Sequence, residues 1–173
     1  MNITIRQMLV IDRARIAKFN RSAVKNKGRK NLIEELRKTR EYVKELFLIA
    51  EVNKMIVGYL MFYPVYIVSR HTKYKTLSLV DMNVDPDYAK EGVCEKLIEE
   101  GIECSRTMGF FSIVTSNISE YYAQFGFKPA SRYQIRQPFT ASGTSFMALE
   151  LVAGALNDIP GKVEYPKAYH LAS

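Results

Sequence analysis

The spacing of apolar and polar residues along the chain predicts six strands and four helices. Strands are indicated where apolar residues alternate with polar ones or run unbroken, and helices where they recur every three or four positions. The predicted strands are 2–6, 47–52, 55–68, 77–84, 110–115 and 145–152, and the predicted helices are 13–24, 31–44, 92–108 and 119–125. The sequence contains no internal repeat or linker. We therefore expect one domain over residues 1–173, with residues 146–173 as its C-terminal strand and extension.

Short polar breaks predict how these segments are joined. Asn53-Lys54 separates two apolar runs and has the length and composition of a two-residue hairpin turn. Asp12 precedes the first helix as a candidate N-cap. The apolar face of the second helix consists of Leu32, Ile33, Leu36 and Val43. The second half instead runs strand, helix, strand, which requires a crossover and parallel pairing. Together these features predict an α/β fold with a mixed, twisted sheet flanked by helices.

The chain is organised around residues 77–108, where a strand, a short loop and a helix follow one another. The apolar strand 77–84 is interrupted by Asp85-Pro86-Asp87, and helical spacing begins at Gly92. The first N–H groups of a helix have no partner within it, and the helix dipole adds partial positive charge there. This junction is therefore a candidate anion site, although a single glycine before a helix is also typical of an ordinary loop.

Residues 86–94, Pro-Asp-Tyr-Ala-Lys-Glu-Gly-Val-Cys, resemble the acetyl-CoA loop of the GNAT N-acetyltransferases. In that family the loop reads Gln/Arg-x-x-Gly-x-Gly/Ala, and its backbone amides hold the CoA pyrophosphate. Gly92 keeps its place in this pattern. Ala89 stands where the family has Gln or Arg, and Cys94 where it has Gly or Ala. The alanine removes one side-chain contact to the cofactor.

A second match lies further along the chain. Residues 121–127, Tyr-Tyr-Ala-Gln-Phe-Gly-Phe, are similar to the aromatic-Tyr-x-x-x-Gly-Phe signature that ends the cofactor half of GNAT domains. Blocks at 127–131, 146–151, 154–156 and 161–166 are similar to a branch of predicted acetyltransferases typified by the bacterial YhbS proteins. Several motifs in the same order extend the resemblance over nearly the whole chain.

The resemblance implies an acetyl-CoA site in the second half of the chain. In GNAT folds the two parallel strands, here 77–84 and 110–115, splay apart. The pantetheine arm lies in the gap as an added strand would. The cofactor-binding residues expected on this basis are Met82, Asn83, Val84, Ala89, Lys90, Glu91, Gly92, Val93, Cys94, Glu95 and Asn117.

The family chemistry is direct attack of an amine on the thioester of acetyl-CoA, which needs a proton acceptor and a proton donor. Tyr122 aligns with the family tyrosine that protonates the departing thiolate. A core aromatic residue beside Phe125 and Phe127 is an equally good interpretation of this position. Asp81 is the carboxylate within the central strand and a candidate base. The family usually has proline there, so Asp81 could instead be a strand-end carboxylate bound to backbone N–H groups, with water taking the proton.

Charge and composition narrow the classes of partner. The chain has a net charge of +7, and residues 13–44 carry twelve Lys/Arg against three Glu. Such an excess could mark a surface for nucleic acid or an acidic substrate, but it more often indicates a solvated pair of helix faces. Basic residues near an entrance also suit a cofactor with three phosphate groups, and we do not expect a nucleic-acid partner. Cys94 and Cys104 lack the spacing of metal ligands. The longest apolar run, 56–68, is shorter than the roughly 20 residues of a membrane helix. No signal peptide is recognisable, so we expect a cytoplasmic protein.

Two functions remain open from the sequence. The first is an acetyl-CoA-dependent N-acetyltransferase that acts on a primary amine of a small molecule or peptide. The second is a catalytically silent domain that keeps the fold and binds CoA or an acidic partner. Gly92, Tyr122 and the C-terminal blocks favour the first, whereas Ala89 and Asp81 favour the second. The acceptor and the oligomeric state, with a homodimer among the possibilities, are not encoded in any motif.

Overall fold

The computed structural model describes residues 1–23, 27–116, 120–138 and 146–170. Nine strands and four helices are present in these residues. The strands are β1 (Ile3–Gln7), β2 (Phe47–Val52), β3 (Met55–Ser69), β4 (Thr72–Val84), β5 (Ser112–Thr115), β6 (Lys128–Pro129), β7 (Ile135–Arg136), β8 (Met147–Glu150) and β9 (Gly161–Glu164). The helices are α1 (Arg13–Ala23), α2 (Lys27–Arg37), α3 (Val93–Thr107) and α4 (Glu120–Ala123).

All nine strands form one mixed sheet. Its main order is β1-β2-β3-β4-β5-β8-β6, and β9 pairs with both β3 and β7. The first four strands are antiparallel neighbours, and β4 and β5 are parallel. Because α3 connects β4 to β5, the crossover that parallel strands require is provided by a helix. The predicted α/β class with a mixed sheet and flanking helices is confirmed.

The sheet carries an apolar core on each face. The first cluster covers the face under α1 and α2 and includes Ile16, Phe19, Leu32, Ile33, Leu36, Tyr59, Met61 and Tyr63. The second cluster covers the face under α3 and α4 and includes Leu60, Phe62, Leu77, Leu79, Val93, Leu97 and Tyr122. Side chains alternate between the two clusters from Tyr59 to Tyr63 in β3, as the strand period requires. We call these the α1/α2 face and the α3 face.

The hairpin turn at Asn53-Lys54 is confirmed. Both residues have positive φ, 49° and 65°, as a two-residue turn between twisted antiparallel strands requires. The following hairpin is longer than predicted, because β4 begins at Thr72 and pairs with β3 up to Ser69. The first residues of β4 are polar, so the sequence pattern does not predict a strand there. They form a strand because they pair with the apolar end of β3.

The predicted second helix, 31–44, is wrong at both ends. In the structure α2 begins at Lys27 and ends at Arg37. The Thr39 hydroxyl and backbone N–H both donate to the Leu36 carbonyl, which closes the last turn. Val43 therefore lies beyond the end of α2 and packs against the core of the α3 face.

Asp12 does not act as the predicted N-cap. Helix α1 does begin directly after Asp12, but the Asp12 carboxylate accepts hydrogen bonds from the Leu9 N–H, Arg6 and Arg15.

Strand β9 is absent from the sequence prediction. It pairs with β3 through Tyr66–Val68, and at Gly161 a Cβ would overlap the Val68 carbonyl. No helix in the described part of the chain has the length and apolar character needed to cross a bilayer.

Candidate active site

An opening between β4 and β5 defines the candidate site. These parallel strands pair only at Leu77 with Ile113 and Ser78 with Val114 among the described residues. Beyond Ser78, β4 continues to Val84 while β5 ends at Thr115. Met82, Asn83 and Val84 are half-buried along this free edge of β4. Their backbone groups on the β5 side are thus available to a ligand that binds like a strand.

The loop after β4 leads directly into the start of α3. The Asp85 carboxylate accepts from the Asp87 N–H at 3.0 Å and supports a short 3₁₀ turn at Pro86–Tyr88. Gly92 follows with φ +76°, a left-handed conformation that glycine adopts without strain. No side chain caps the first amides of α3 in the described structure. A 15-residue helix thus presents its N-terminal N–H groups at the end of the β4 edge.

Glu95 brings a negative charge to this helix start. Its half-buried carboxylate lies close to Tyr121 and to Cys94. Burial is the largest cause that raises the pKa of Tyr121, and the Glu95 carboxylate adds to it. The same two causes, in the same order, raise the pKa of the Cys94 thiol. An acidic side chain here is favourable for the free helix but competes with any anionic ligand.

Tyr122 lies on α4 within the core of the α3 face. Only 5% of the residue is exposed. Its ring makes edge contacts with Tyr121 at 5.7 Å and with Phe127 at 5.6 Å between centroids. Packing therefore holds the ring in one orientation, as the core interpretation requires. The same packing would hold the hydroxyl of a proton donor in place.

Asp81 lies on the opposite face of the sheet. Met61 pairs with Asp81 and Phe62 with Leu79, so Val80 is the additional residue of a β-bulge. Because of this bulge, Val80 and Asp81 both face the α1/α2 side. Asp81 is 5% exposed, and the Tyr59 hydroxyl donates to its Oδ2 at 2.7 Å. The carboxylate is thus buried beside the opening and anchored by a phenol.

Further hydroxyl groups lie on the same face of the sheet as Asp81. The Tyr63 and Thr39 hydroxyls share a hydrogen bond of 2.8 Å. Tyr169, in the C-terminal 3₁₀ turn, is close enough to Asp81 for the charge to raise its pKa, although burial is the main cause. Its ring packs on Tyr165 with centroids 4.5 Å apart. The C-terminal segment therefore forms part of the wall around Asp81.

The sequence of the chain matches that of known acetyltransferases. A family model described as the acetyltransferase (GNAT) domain matches residues 5–130, well over half of the chain. The chain belongs to the GNAT family. Among curated proteins, it is 25% identical over 167 residues to the uncharacterised N-acetyltransferase YhbS of Escherichia coli K12. The match covers 96% of this chain and 98% of the relative, so the predicted relationship to the YhbS branch is confirmed.

Solved structures show the same fold. The crystal structure of Escherichia coli YhbS in complex with CoA superimposes with a TM-score of 0.89 at 24% identity, covering 98% of this chain and 93% of that one. A GNAT acetyltransferase from Brucella melitensis in complex with acetyl-CoA gives a TM-score of 0.74 at 25% identity, covering 97% and 98%. Nearly the whole chain, not only the part that the family model matches, thus superimposes on these two structures.

Most of the predicted GNAT site residues lie around one opening. Met82, Asn83 and Val84 line the free edge of β4, and the loop residues Ala89, Lys90 and Glu91 lead into Gly92, Val93, Cys94 and Glu95 at the start of α3. Ala89 is exposed. Asp81 and Tyr122 lie on opposite faces of the sheet at this opening. Asn117 lies outside the described residues.

Three further tyrosines of β3 and β4 divide into two groups by their position. Tyr63 is buried on the Asp81 face, as an acceptor wall would require. Tyr74 is exposed at the far end of the β3–β4 hairpin, and Tyr66 contacts Lys73 there. These two tyrosines are therefore remote from the opening along β3 and β4.

Sequence reasoning missed Tyr59, Asn20 and Tyr169. Tyr59 donates to Asp81, and the Asn20 carboxamide is 3.4 Å from that of Asn83. One signal for Tyr59 was present, because it has the strand period of Tyr63 and so shares its face. The proximity of Asn20 and Tyr169 to β4 arises only from long-range packing, which no local pattern encodes.

Proposed function

We propose that this protein is an acetyl-CoA-dependent N-acetyltransferase that transfers the acetyl group to a primary amine by direct attack. The observation that carries the proposal is the opening between β4 and β5, whose free strand edge runs into an uncapped helix start. An ordinary loop would explain the glycine but not a strand edge that no described residue pairs beside it. Membership of the GNAT family supports the same function.

The residues present fit acetyl-CoA, which supplies the acetyl group as an activated thioester. The backbone of Met82, Asn83 and Val84 would bind the pantetheine arm. The amides of residues 90–95 would bind the pyrophosphate, since the space beside Gly92 is open: in the described structure the atom nearest to a Cβ built there is Glu95 Oε2, at 4.0 Å. Ala89 contributes no side-chain hydrogen bond, and Glu95 opposes an anion, so we expect weaker binding than a fully matching loop would give.

The two proton transfers take place on opposite faces of the sheet. Asp81, on the α1/α2 face, accepts the proton that the amine loses on attack, and Tyr59 keeps its carboxylate oriented. Tyr122, on the α3 face, donates a proton to the departing thiolate. Acceptor and donor thus act from opposite faces of the sheet.

The test is acetyl transfer to a panel of small primary amines, measured by release of the CoA thiol. Tyr122→Phe should reduce turnover at least tenfold, because general-acid help is typically worth a factor of about 10² to 10⁴. The KM for acetyl-CoA should hardly change, since the lost interaction forms mainly in the transition state. Tyr66→Phe is the matched control and should retain the parental rate.

Two results would contradict the proposal. A Tyr122→Phe protein that acetylates at the parental rate per folded molecule would exclude Tyr122 as the acid. A parent protein that binds CoA in calorimetry but acetylates no amine of the panel would make the silent domain the better description.

A further inference from the structure

A small cavity between α1 and α2 has the features of an anion site. It encloses about 100 Å³ above the side chain of Phe47 in β2. Arg13, Asn20, Glu34 and Arg37 are among its lining residues. Two arginines and one glutamate are therefore among the residues that line the same space.

Arg37 is the buried cation of this cavity. Its side chain is 6% exposed, and one terminal nitrogen donates to Glu34 at 2.9 Å, while Glu34 itself is 58% exposed. The Arg37 Nε is buried and has no hydrogen-bond partner in the described structure. A buried N–H of a charged group is costly when it makes no hydrogen bond. Glu34 thus satisfies only part of what Arg37 can donate.

Tyr42 adds a second donor next to Arg37. Its hydroxyl is buried beside the Arg37 side chain. Burial raises the pKa of Tyr42, whereas the charge of Arg37, a hydrogen bond with the Arg37 side chain and the charge of Arg13 lower it. A carboxylate in the cavity would accept hydrogen bonds from a forked guanidinium, its preferred partner in proteins.

The cavity is two strands away from Asp81 on the same face of the sheet. Phe47 pairs with Met61, and Met61 pairs with Asp81. Two strand spacings amount to about 10 Å. The Tyr59 ring contacts Phe47 at 5.8 Å, and its hydroxyl reaches Asp81. Asn20 connects the same two regions, since it lines the cavity and approaches Asn83.

We propose that this cavity binds the carboxylate of the acceptor, and that the acceptor is an amino acid whose reactive amine is several bonds from its carboxylate. The inference rests on the proposed function, because Asp81 is taken to mark the position of the amine. The distance between the cavity and Asp81 excludes an α-amino group as the acceptor, because the amine and the carboxylate of an α-amino acid are attached to the same carbon. It favours ω-amino acids such as δ-aminovalerate and ε-aminocaproate.

The experiment compares acceptors of increasing length in acetyl transfer. The series is glycine, β-alanine, γ-aminobutyrate, δ-aminovalerate and ε-aminocaproate. Pentylamine is the control, because it has the length of δ-aminovalerate but no carboxylate. The two longest amino acids should exceed both glycine and pentylamine in kcat/KM by at least about tenfold, as expected for a buried charge pair.

Arg37→Met should remove this preference while leaving transfer to pentylamine within about twofold of the parent, because only the carboxylate loses its partner. Lys38→Met is the matched control, since Lys38 lies on the next position, is 67% exposed and pairs with Glu35 outside the cavity. If Arg37→Met fails to fold, Arg13→Gln provides the second test and should weaken the preference in the same direction.

A binding measurement separates this inference from the proposed function. Calorimetric titration of δ-aminovalerate into the parent saturated with CoA should give binding that Arg37→Met loses. Binding of this kind without any acetyl transfer would support the carboxylate site and contradict the proposed function. Equal use of pentylamine and δ-aminovalerate by both the parent and Arg37→Met would overturn the carboxylate site and leave the acetyltransferase intact. Absence of δ-aminovalerate binding and of any length preference would likewise overturn it.

Discussion

Replacing Asp12 with asparagine tests the ion network that fixes α1 to the sheet. The Asp12 carboxylate is fully buried and accepts two hydrogen bonds from Arg6, at 2.7 and 3.0 Å. It also accepts from Arg15 at 2.7 Å and from the Leu9 N–H at 2.9 Å. Glu51 bonds to both arginines. Helix α1, which carries Asn20 toward β4, is therefore anchored by one carboxylate.

The pKa of Asp12 gives the size of the effect. Hydrogen bonds from Arg6 are the largest cause that lowers it from 3.8 to about 2, against the opposing effect of burial. At 1.36 kcal/mol per pKa unit, the charged form stabilises the fold by about 2 kcal/mol. Loss of one partner of a buried pair costs about 3 to 5 kcal/mol. Arg6 and Arg15 are partly exposed and keep Glu51, so we expect a loss near 2 kcal/mol.

The sign of the pH dependence follows from the lowered pKa. Because the carboxyl binds its proton less readily in the folded state than in the unfolded one, the stabilisation is complete above pH 4. It is lost as the pH falls from about 4 to about 2. Urea unfolding of the parent and of Asp12→Asn should therefore differ by about 2 kcal/mol at pH 7 and converge toward pH 2.

The control is Asp158→Asn, an exposed aspartate at φ +60° whose replacement asparagine tolerates that conformation. It should change the free energy of unfolding by less than about 0.5 kcal/mol. Equal stability of Asp12→Asn and this control at pH 7 would refute the reasoning. A gap between parent and Asp12→Asn that does not vary with pH would refute the linkage to the Asp12 proton.

Three further changes test the cofactor and acceptor sides. Gly92→Gln should abolish CoA binding in calorimetry. The control is Gly109→Gln at the other end of α3, where φ is similarly positive, so this change should reduce stability by a comparable amount but leave CoA binding intact. Equal CoA binding by the two variants would contradict the loop assignment. Glu95→Gln should tighten CoA binding roughly fivefold by removing a like charge, and unchanged affinity would show that this carboxylate does not face the phosphates. Asp81→Asn should reduce turnover without changing the KM for acetyl-CoA, and a parental rate would indicate that water takes the amine proton.

The features predicted correctly are those encoded by neighbouring residues. Asn53-Lys54 forms its turn because two consecutive positive φ angles are a local requirement. Gly92 stands before α3 because the chain must turn there from a loop into a helix. The strand, helix and strand of the second half likewise imply a crossover from order alone. For these elements, local propensity and the final fold agree.

The features that the sequence did not reveal depend on contacts between distant residues. Strand β9 exists because Gly161 lets two backbones approach closely, about ninety positions after β3. The hydrogen bond between Tyr59 and Asp81 joins two strands across a bulge whose extra residue has no distinguishing side chain. The end of α2 is set by Thr39, whose hydroxyl also meets Tyr63 on β3.

The bulge at Val80 connects the two halves of the candidate site. In a regular strand, Asp81 would point to the same face as Leu79, into the apolar core beneath α3. The additional residue instead turns Asp81 toward Tyr59 and the helices of the α1/α2 face. After the bulge the alternation resumes, so Met82 packs on the α3 face and Asn83 meets Asn20 on the other. One inserted residue therefore places a buried carboxylate and an open backbone edge on a single strand, which is the arrangement that the proposed transfer requires.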